Sequence, residues 1–184
     1  GVQCSYYIPD RITEGYGLNK AALLSLRKKG ISLVITVDSG ITAAEEIAYA
    51  KQIGLKVVIT DHHECKSDMP DALAVVNPKR PDSQYPFKDL AGVGVVFKLI
   101  CAMEGPENLQ DVMASYVDLI AVGTIADVML LQGENRVIVS YGLALLQQTE
   151  NPGLRMLMRE SGVETRRMTS TVVSFTLAPR INAA

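Results

Sequence analysis

Val57-Val58-Ile59-Thr60-Asp61-His62-His63 is an apolar, β-branched run that ends on one carboxylate and two imidazoles, and no other histidine occurs in the 184 residues. A short hydrophobic strand that delivers such groups to its carboxyl end is how an α/β protein presents metal ligands to a crevice. An aspartate after a strand is also a common helix N-cap, and paired surface histidines often carry no function. The surroundings decide between these readings.

The same pattern stands upstream, in Ile31-Ser32-Leu33-Val34-Ile35-Thr36-Val37-Asp38-Ser39-Gly40. Between the two runs, Thr42 to Ile53 places Ile41, Ala44, Ile47, Ala48 and Gln52 at helical spacing. Strand, helix and strand of these lengths form a right-handed βαβ crossover, so the strands are expected to be parallel with their carboxyl ends at one edge. Asp38 and Asp61 then face the same crevice. Two carboxylates meeting imidazole there repel one another unless cations neutralise them, which favours a metal site over two unrelated caps. Oxygen-rich ligation with one or two imidazoles suits Mn²⁺ or Mg²⁺. Zinc held by Cys65 is disfavoured, because Cys4, Cys65 and Cys101 have no Cys-x-x-Cys spacing.

A third acidic candidate lies in the apolar stretch Tyr116 to Leu131, which Asp118 and Asp127 interrupt. An unpaired carboxylate is costly to bury. In a helix, positions nine apart point to nearly opposite faces, so only one of the two can face a crevice. Spacing leaves open which one, and also leaves open that each is a cap or lies at a solvent edge.

Val-Asp-Ser-Gly at Val37 to Gly40, Asp-His-His at Asp61 to His63 and Gly-Thr-Ile-Ala-Asp at Gly123 to Asp127 resemble the second, third and fourth motifs of the DHH phosphoesterase superfamily. Tyr7 to Arg11 through Glu14 to Leu18, Leu90 to Val95, and Leu177 to Ala184 are similar to the RecJ family of single-strand-specific DNA exonucleases. The resemblance implies a parallel-sheet α/β domain with helices on both faces, about residues 1–130, followed by a helical continuation over about 131–184. It implies Asp38 as a carboxylate bridging two metal ions, His62 and Asp127 as ligands of the second ion, Asp61 as an outer carboxylate and His63 as a contact to the scissile phosphate. It selects Asp127 over Asp118. Arg11 and Arg180 match positions that grip nucleic-acid phosphate, for which the guanidinium fork is suited; a loop salt bridge with Asp10 or Glu14 is the alternative for Arg11.

The family's first motif, an Asp-x-Asp-x-Asp-Gly run, is absent from this sequence. The chain is therefore expected to be a piece of the catalytic core. The implied chemistry is two-metal hydrolysis of a phosphodiester in single-stranded DNA, proceeding from a 5′ end, in repair and recombination. Three ligands are at best a remnant around one ion, so the expectation is a single weakly held Mn²⁺ and feeble or absent hydrolysis. Two other readings compete: a DHH phosphoesterase acting on oligonucleotides, cyclic dinucleotides or pyrophosphate, and a non-catalytic module of the same fold.

Composition fits one α/β domain, at 48% hydrophobic with three Phe and no Trp. An odd three cysteines without framework spacing point to a reducing cytosol, and no run is expected to reach membrane-spanning length. A net charge of −2 does not advertise nucleic-acid binding. Positive charge is confined to patches such as Arg27-Lys28-Lys29 and Arg166-Arg167, read as solvated faces. Ala72 to Val76 reads as a third parallel strand, followed by a proline-dense loop from Asn77 to Pro86. Gly92 and Gly94 precede Val95 to Met103 at a helix start, as a phosphate cradle or for close packing against the sheet. Asn135 to Gln148 and Gly153 to Ser161 read as helices, with Pro152 in the first turn of the latter and Met156 and Met158 as core filling.

Overall fold

The computed structural model describes residues 3–10 and 14–183, which fall into two compact units divided after Pro81. The chain is a mixed α/β protein with a small parallel sheet.

The first unit holds helix α1 (Lys20–Lys28), strand β1 (Leu33–Val37), helix α2 (Ala44–Gln52) and strands β2 (Lys56–Thr60) and β3 (Ala74–Val76). All three strands are parallel in the order β1-β2-β3, with Val37 opposite Thr60 and Thr60 opposite Val76. Alternation sorts the side chains by face. Val34 on β1, Val57 and Ile59 on β2 and Val75 on β3 join Leu23 of α1 and Ile47 and Ala50 of α2 in one core. On the opposite face of β1, Leu33, Ile35 and Val37 are exposed. Asn19 caps α1 by accepting the Ala22 N–H at 2.7 Å, and Arg27 and Lys28 in its last turn complement the helix dipole.

The second unit is helical: α3 (Gly92–Glu104), α4 (Leu109–Ala126), α5 (Gly133–Leu146), α6 (Pro152–Glu160), and a last run of α7 (Ser170–Val172), a π-turn (Val173–Leu177) and α8 (Ala178–Asn182). Ala121, Val122 and Ile125 of α4, Val139 and Leu146 of α5, Leu154 and Met158 of α6, and Val173 and Leu177 form its core. Met156, expected inside, is exposed. Gly142 lets α5 approach α4 closely, because a Cβ there would stand 2.2 Å from the Ala121 Cβ. A Cβ on Gly94 would stand 3.3 Å from the Leu90 side chain. Tyr85, Lys98 and Glu134 tie the proline-dense loop to α3 and α5. The Tyr85 hydroxyl donates to Glu134 Oε1 and the Lys98 Nζ lies against Glu134 Oε2, each at 2.7 Å. Burial pushes the Glu134 carboxyl up, and these two donors outweigh it and hold it below its ordinary value.

The expectation about membrane-spanning length is corrected as well. Among the described residues, one helical stretch, Pro106–Ala126, is long and apolar enough to cross a membrane. Its apolarity has a local cause: eight residues of α4, from Val112 to Ile125, are buried within protein. Asp118 is one of them, and its Oδ2 accepts the Thr149 hydroxyl at 2.5 Å. Thr149 Oγ1 in turn accepts the Asn151 N–H, and Asn151 caps α6.

Candidate metal centre

Parallel register brings the two strand ends level. The Asp38 N–H donates to the Thr60 carbonyl and the Asp61 N–H to the Val76 carbonyl, each at 3.0 Å, so β1, β2 and β3 release their chains side by side. Asp38 takes a left-handed conformation, φ 59°, that a non-glycine residue adopts at a cost of about 1 kcal/mol or more. Its turn is held on both sides: Thr60 Oγ1 donates to the Thr36 carbonyl and Thr36 Oγ1 to the Ser39 carbonyl, both at 2.7 Å. Gly40, at φ 110°, completes it, with no room for a Cβ between Thr36 and Ile59 without displacing them.

That turn places Asp38 Oδ1 3.1 Å from Nε2 of His62. His62 is buried, whereas the Asp38 carboxylate is half exposed. His63 lies beside it, the two ring centroids 4.5 Å apart. Among the described residues, Asp38, His62 and His63 are the group whose ligand atoms gather within 4.8 Å of one another. One carboxylate oxygen and two imidazole nitrogens, with no thiolate among them, form a donor set that suits a divalent ion such as Mn²⁺.

Beneath the pair, Asp61 is 1% exposed and saturated with donors. Its Oδ2 accepts the Ile41 N–H at 2.9 Å, and its Oδ1 accepts the His62 N–H at 2.8 Å, the His63 N–H at 3.2 Å and His63 Nδ1 at 2.7 Å. Burial pushes this carboxyl up; the Ile41 N–H, the His63 ring and the two histidine N–H groups outweigh it and hold its pKa below the ordinary value. An ionised carboxylate only accepts, so the hydrogen of the neutral His63 ring sits on Nδ1 and its Nε2 presents a lone pair. Asp61 is thus both the cap of a neighbouring loop and the orienting partner of an imidazole.

Asp127 belongs to the second unit, exposed at the C-cap of α4, with its N–H on the Gly123 carbonyl. The next residue, Val128, takes φ 56°. Its N–H donates to the Ile125 carbonyl and the Met129 N–H to the Thr124 carbonyl, a Schellman ending with a β-branched residue where glycine is favoured. Asp118 is buried and engaged by Thr149, whereas Asp127 is exposed. Arg180 is exposed on α8 and donates from Nη1 to the Thr176 carbonyl at 2.6 Å, one turn back. The adjoining π-turn is a feature often found at functional sites. Arg11 lies outside the described residues. Its flanks are joined, the Asp10 N–H donating to Glu14 Oε2 at 2.8 Å and the Tyr7 hydroxyl to the same carboxylate.

Spacing alone did not find Asn77, which reaches back to this turn from the end of β3. The signal was an asparagine between a strand and a proline, a frequent turn former.

Residues 1–124 match the DHH family, N-terminal domain. The chain belongs to the DHH family. Among DHH relatives, the single-stranded-DNA-specific exonuclease RecJ of Bacillus subtilis is 49% identical over 181 residues, 98% of this chain and 22% of that protein. A crystal structure of exonuclease RecJ bound to manganese matches with a TM-score of 0.83 at 37% identity, over 97% of this chain and 44% of that one. RecJ from Thermus thermophilus in complex with Mg²⁺ matches with a TM-score of 0.56 at 29% identity, over 90% of this chain and 28% of that one. The chain therefore spans about a fifth to under half the length of these DHH proteins.

Proposed function

We propose that this chain is part of the catalytic core of a metal-dependent nuclease that hydrolyses phosphodiester bonds of single-stranded DNA from the 5′ end, acting in the cytoplasm in repair and recombination. The observation that carries the reading is the convergence of Asp38 and His62 at the carboxyl edge of a parallel sheet, in a DHH-family chain similar to RecJ along nearly its whole length. Bound Mn²⁺ or Mg²⁺ supplies the chemistry by acidifying a coordinated water and neutralising phosphoryl oxygens.

In this reading Asp38, His62 and Asp127 would be metal ligands. Asp61 holds the His63 ring in one tautomer, and His63 contacts the scissile phosphate. Arg11 and Arg180 supply guanidinium groups to the DNA backbone, the Arg180 fork keeping donors to spare beyond its bond to Thr176. Without an Asp-x-Asp-x-Asp-Gly run in its 184 residues, the chain by itself holds at most one Mn²⁺, weakly, and turns over feebly or not at all.

The test pairs Mn²⁺ titration with a 5′-labelled single-stranded oligonucleotide assay on the purified chain and on a longer RecJ-type protein containing it. Expected are one weak Mn²⁺ site lost in His62→Ala, negligible cleavage by the chain, and single-strand-specific cleavage by the longer protein. Robust cleavage by the chain alone, Mn²⁺ binding indifferent to His62, or a longer protein that prefers cyclic dinucleotides or pyrophosphate overturns the reading.

A further inference from the structure

The turn that bears both imidazoles leans on the exit of β3. Asn77, 4% exposed, donates from Nδ2 to the main-chain carbonyl of His63 at 2.9 Å, while its Oδ1 accepts the Lys79 N–H at 2.8 Å. Its own carbonyl accepts the Arg80 N–H at 3.3 Å, closing a turn around Pro78. Lys79 Nζ then pairs with Glu64 Oε1 at 2.8 Å, one residue beyond His63. Together with the Asp61 N–H on the Val76 carbonyl, three bonds stitch residues 61–64 to residues 76–79.

These bonds differ in what they control. The first continues the sheet ladder, and the Lys79–Glu64 pair has an exposed carboxylate, so it adds little rigidity. Only the Asn77 amide grips the His63 peptide from a buried position, and a buried donor that gives up its acceptor is left without a partner, which is costly. Asp61 fixes the ring of His63 at Nδ1, and Asn77 fixes its backbone. With both ends held, Nε2 has one place to point.

We propose that Asn77 is a positioning residue of the metal centre, which sets the direction of His63 Nε2 through the His63 carbonyl. This rests on the function proposed above, and it assigns a task in that site to the otherwise unexplained asparagine of the proline-dense loop. Asn77→Asp is the decisive variant, since it keeps the acceptor for the Lys79 N–H and the turn but replaces the donor to His63 with a second acceptor. Asn77→Ala removes both.

Because the chain holds two histidines, their ring nitrogens can be read separately by ¹⁵N-edited NMR at alkaline pH, where imidazoles are neutral. In the unaltered chain His63 gives the pattern of a fixed Nδ1–H tautomer. In Asn77→Asp we expect the His63 nitrogens to move towards tautomer averaging while those of His62 stay in place. His63 signals in Asn77→Asp that match those of the unaltered chain overturn the proposal, as do equal shifts of both histidines, which mark general loosening. The outcomes separate from those of the proposed function: if Mn²⁺ broadens neither imidazole of the unaltered chain, the nuclease reading fails, while the tautomer comparison still decides the role of Asn77.

Discussion

Asp38 and His62 stand 3.1 Å apart, from Oδ1 to Nε2, although they arrive on different strands and one is half exposed while the other is buried. The pair is made by two strand ends and one strained turn. Asp38→Asn keeps a residue type that tolerates the left-handed region and removes the charge. It should lower Mn²⁺ affinity by more than about a hundredfold, beyond the typical loss of a supporting group, while the unfolding free energy changes by under about 1 kcal/mol. Calorimetric titration and thermal unfolding of the same sample check both halves.

Acid sensitivity should trace to Asp61. Its carboxyl is held below the ordinary value in the folded chain, so ionisation favours folding. That contribution is complete above the unfolded carboxylate value of about 3.9 and disappears as pH falls through the lower folded value. Urea unfolding across an acid pH series should show the stability gap between the unaltered chain and Asp61→Asn narrowing through that interval. At neutral pH, Asp61→Ala should cost about 3 kcal/mol, because several buried donors lose their acceptor.

Val128 ends α4 in a conformation suited to glycine. Val128→Gly should therefore raise stability by about 1 kcal/mol, relief of left-handed strain exceeding the added chain entropy. Differential scanning calorimetry reads this as a higher melting temperature. If the proposed role of Asp127 holds, the same variant leaves Asp127 on a more mobile ending and weakens Mn²⁺-dependent activity in the longer protein.

Thr149→Val should cost about 2 kcal/mol by leaving the buried Asp118 oxygen without its hydroxyl donor. Adding Asp118→Leu should recover part of that loss. A double-mutant cycle by chemical denaturation measures the coupling.

Gly142→Ala tests close packing between α4 and α5. Its Cβ would meet both the Ala121 side chain and the Val117 carbonyl at well under contact distance, the latter at 2.4 Å. A loss of about 3 kcal/mol is expected, at the upper end of ordinary overpacking because backbone must shift.

Much of this architecture was legible because it is periodic. β-branched runs ending on Asp38 and Asp61 announced parallel strands, and the βαβ length fixed which ends would meet. Helical geometry allowed only one of Asp118 and Asp127 to face a crevice, and only the structure shows Thr149 holding the buried Asp118. What escaped was non-periodic. Asn77 acts on His63 across fourteen positions through a single amide, and nothing in its neighbours marks the partner. Val128 escaped because its conformation contradicts its residue type, so tertiary context had to override local preference. The apolar reach of α4 was hidden by Asp111 and Asp118, charges that break a hydrophobic run on paper without breaking a helix.

Val37 faces Thr60 across the ladder, and the next residue on each strand is an aspartate of the centre. Sliding β1 by a single position would carry Asp38 about 3.3 Å along the edge and turn the row of Val34 and Thr36 from covered to open. The same misalignment that ruins the interior also dismantles the ligand pair. Substitutions deep in these strands, remote from any coordinating atom, can therefore silence the site, and selection for a sound interior also protects the chemistry.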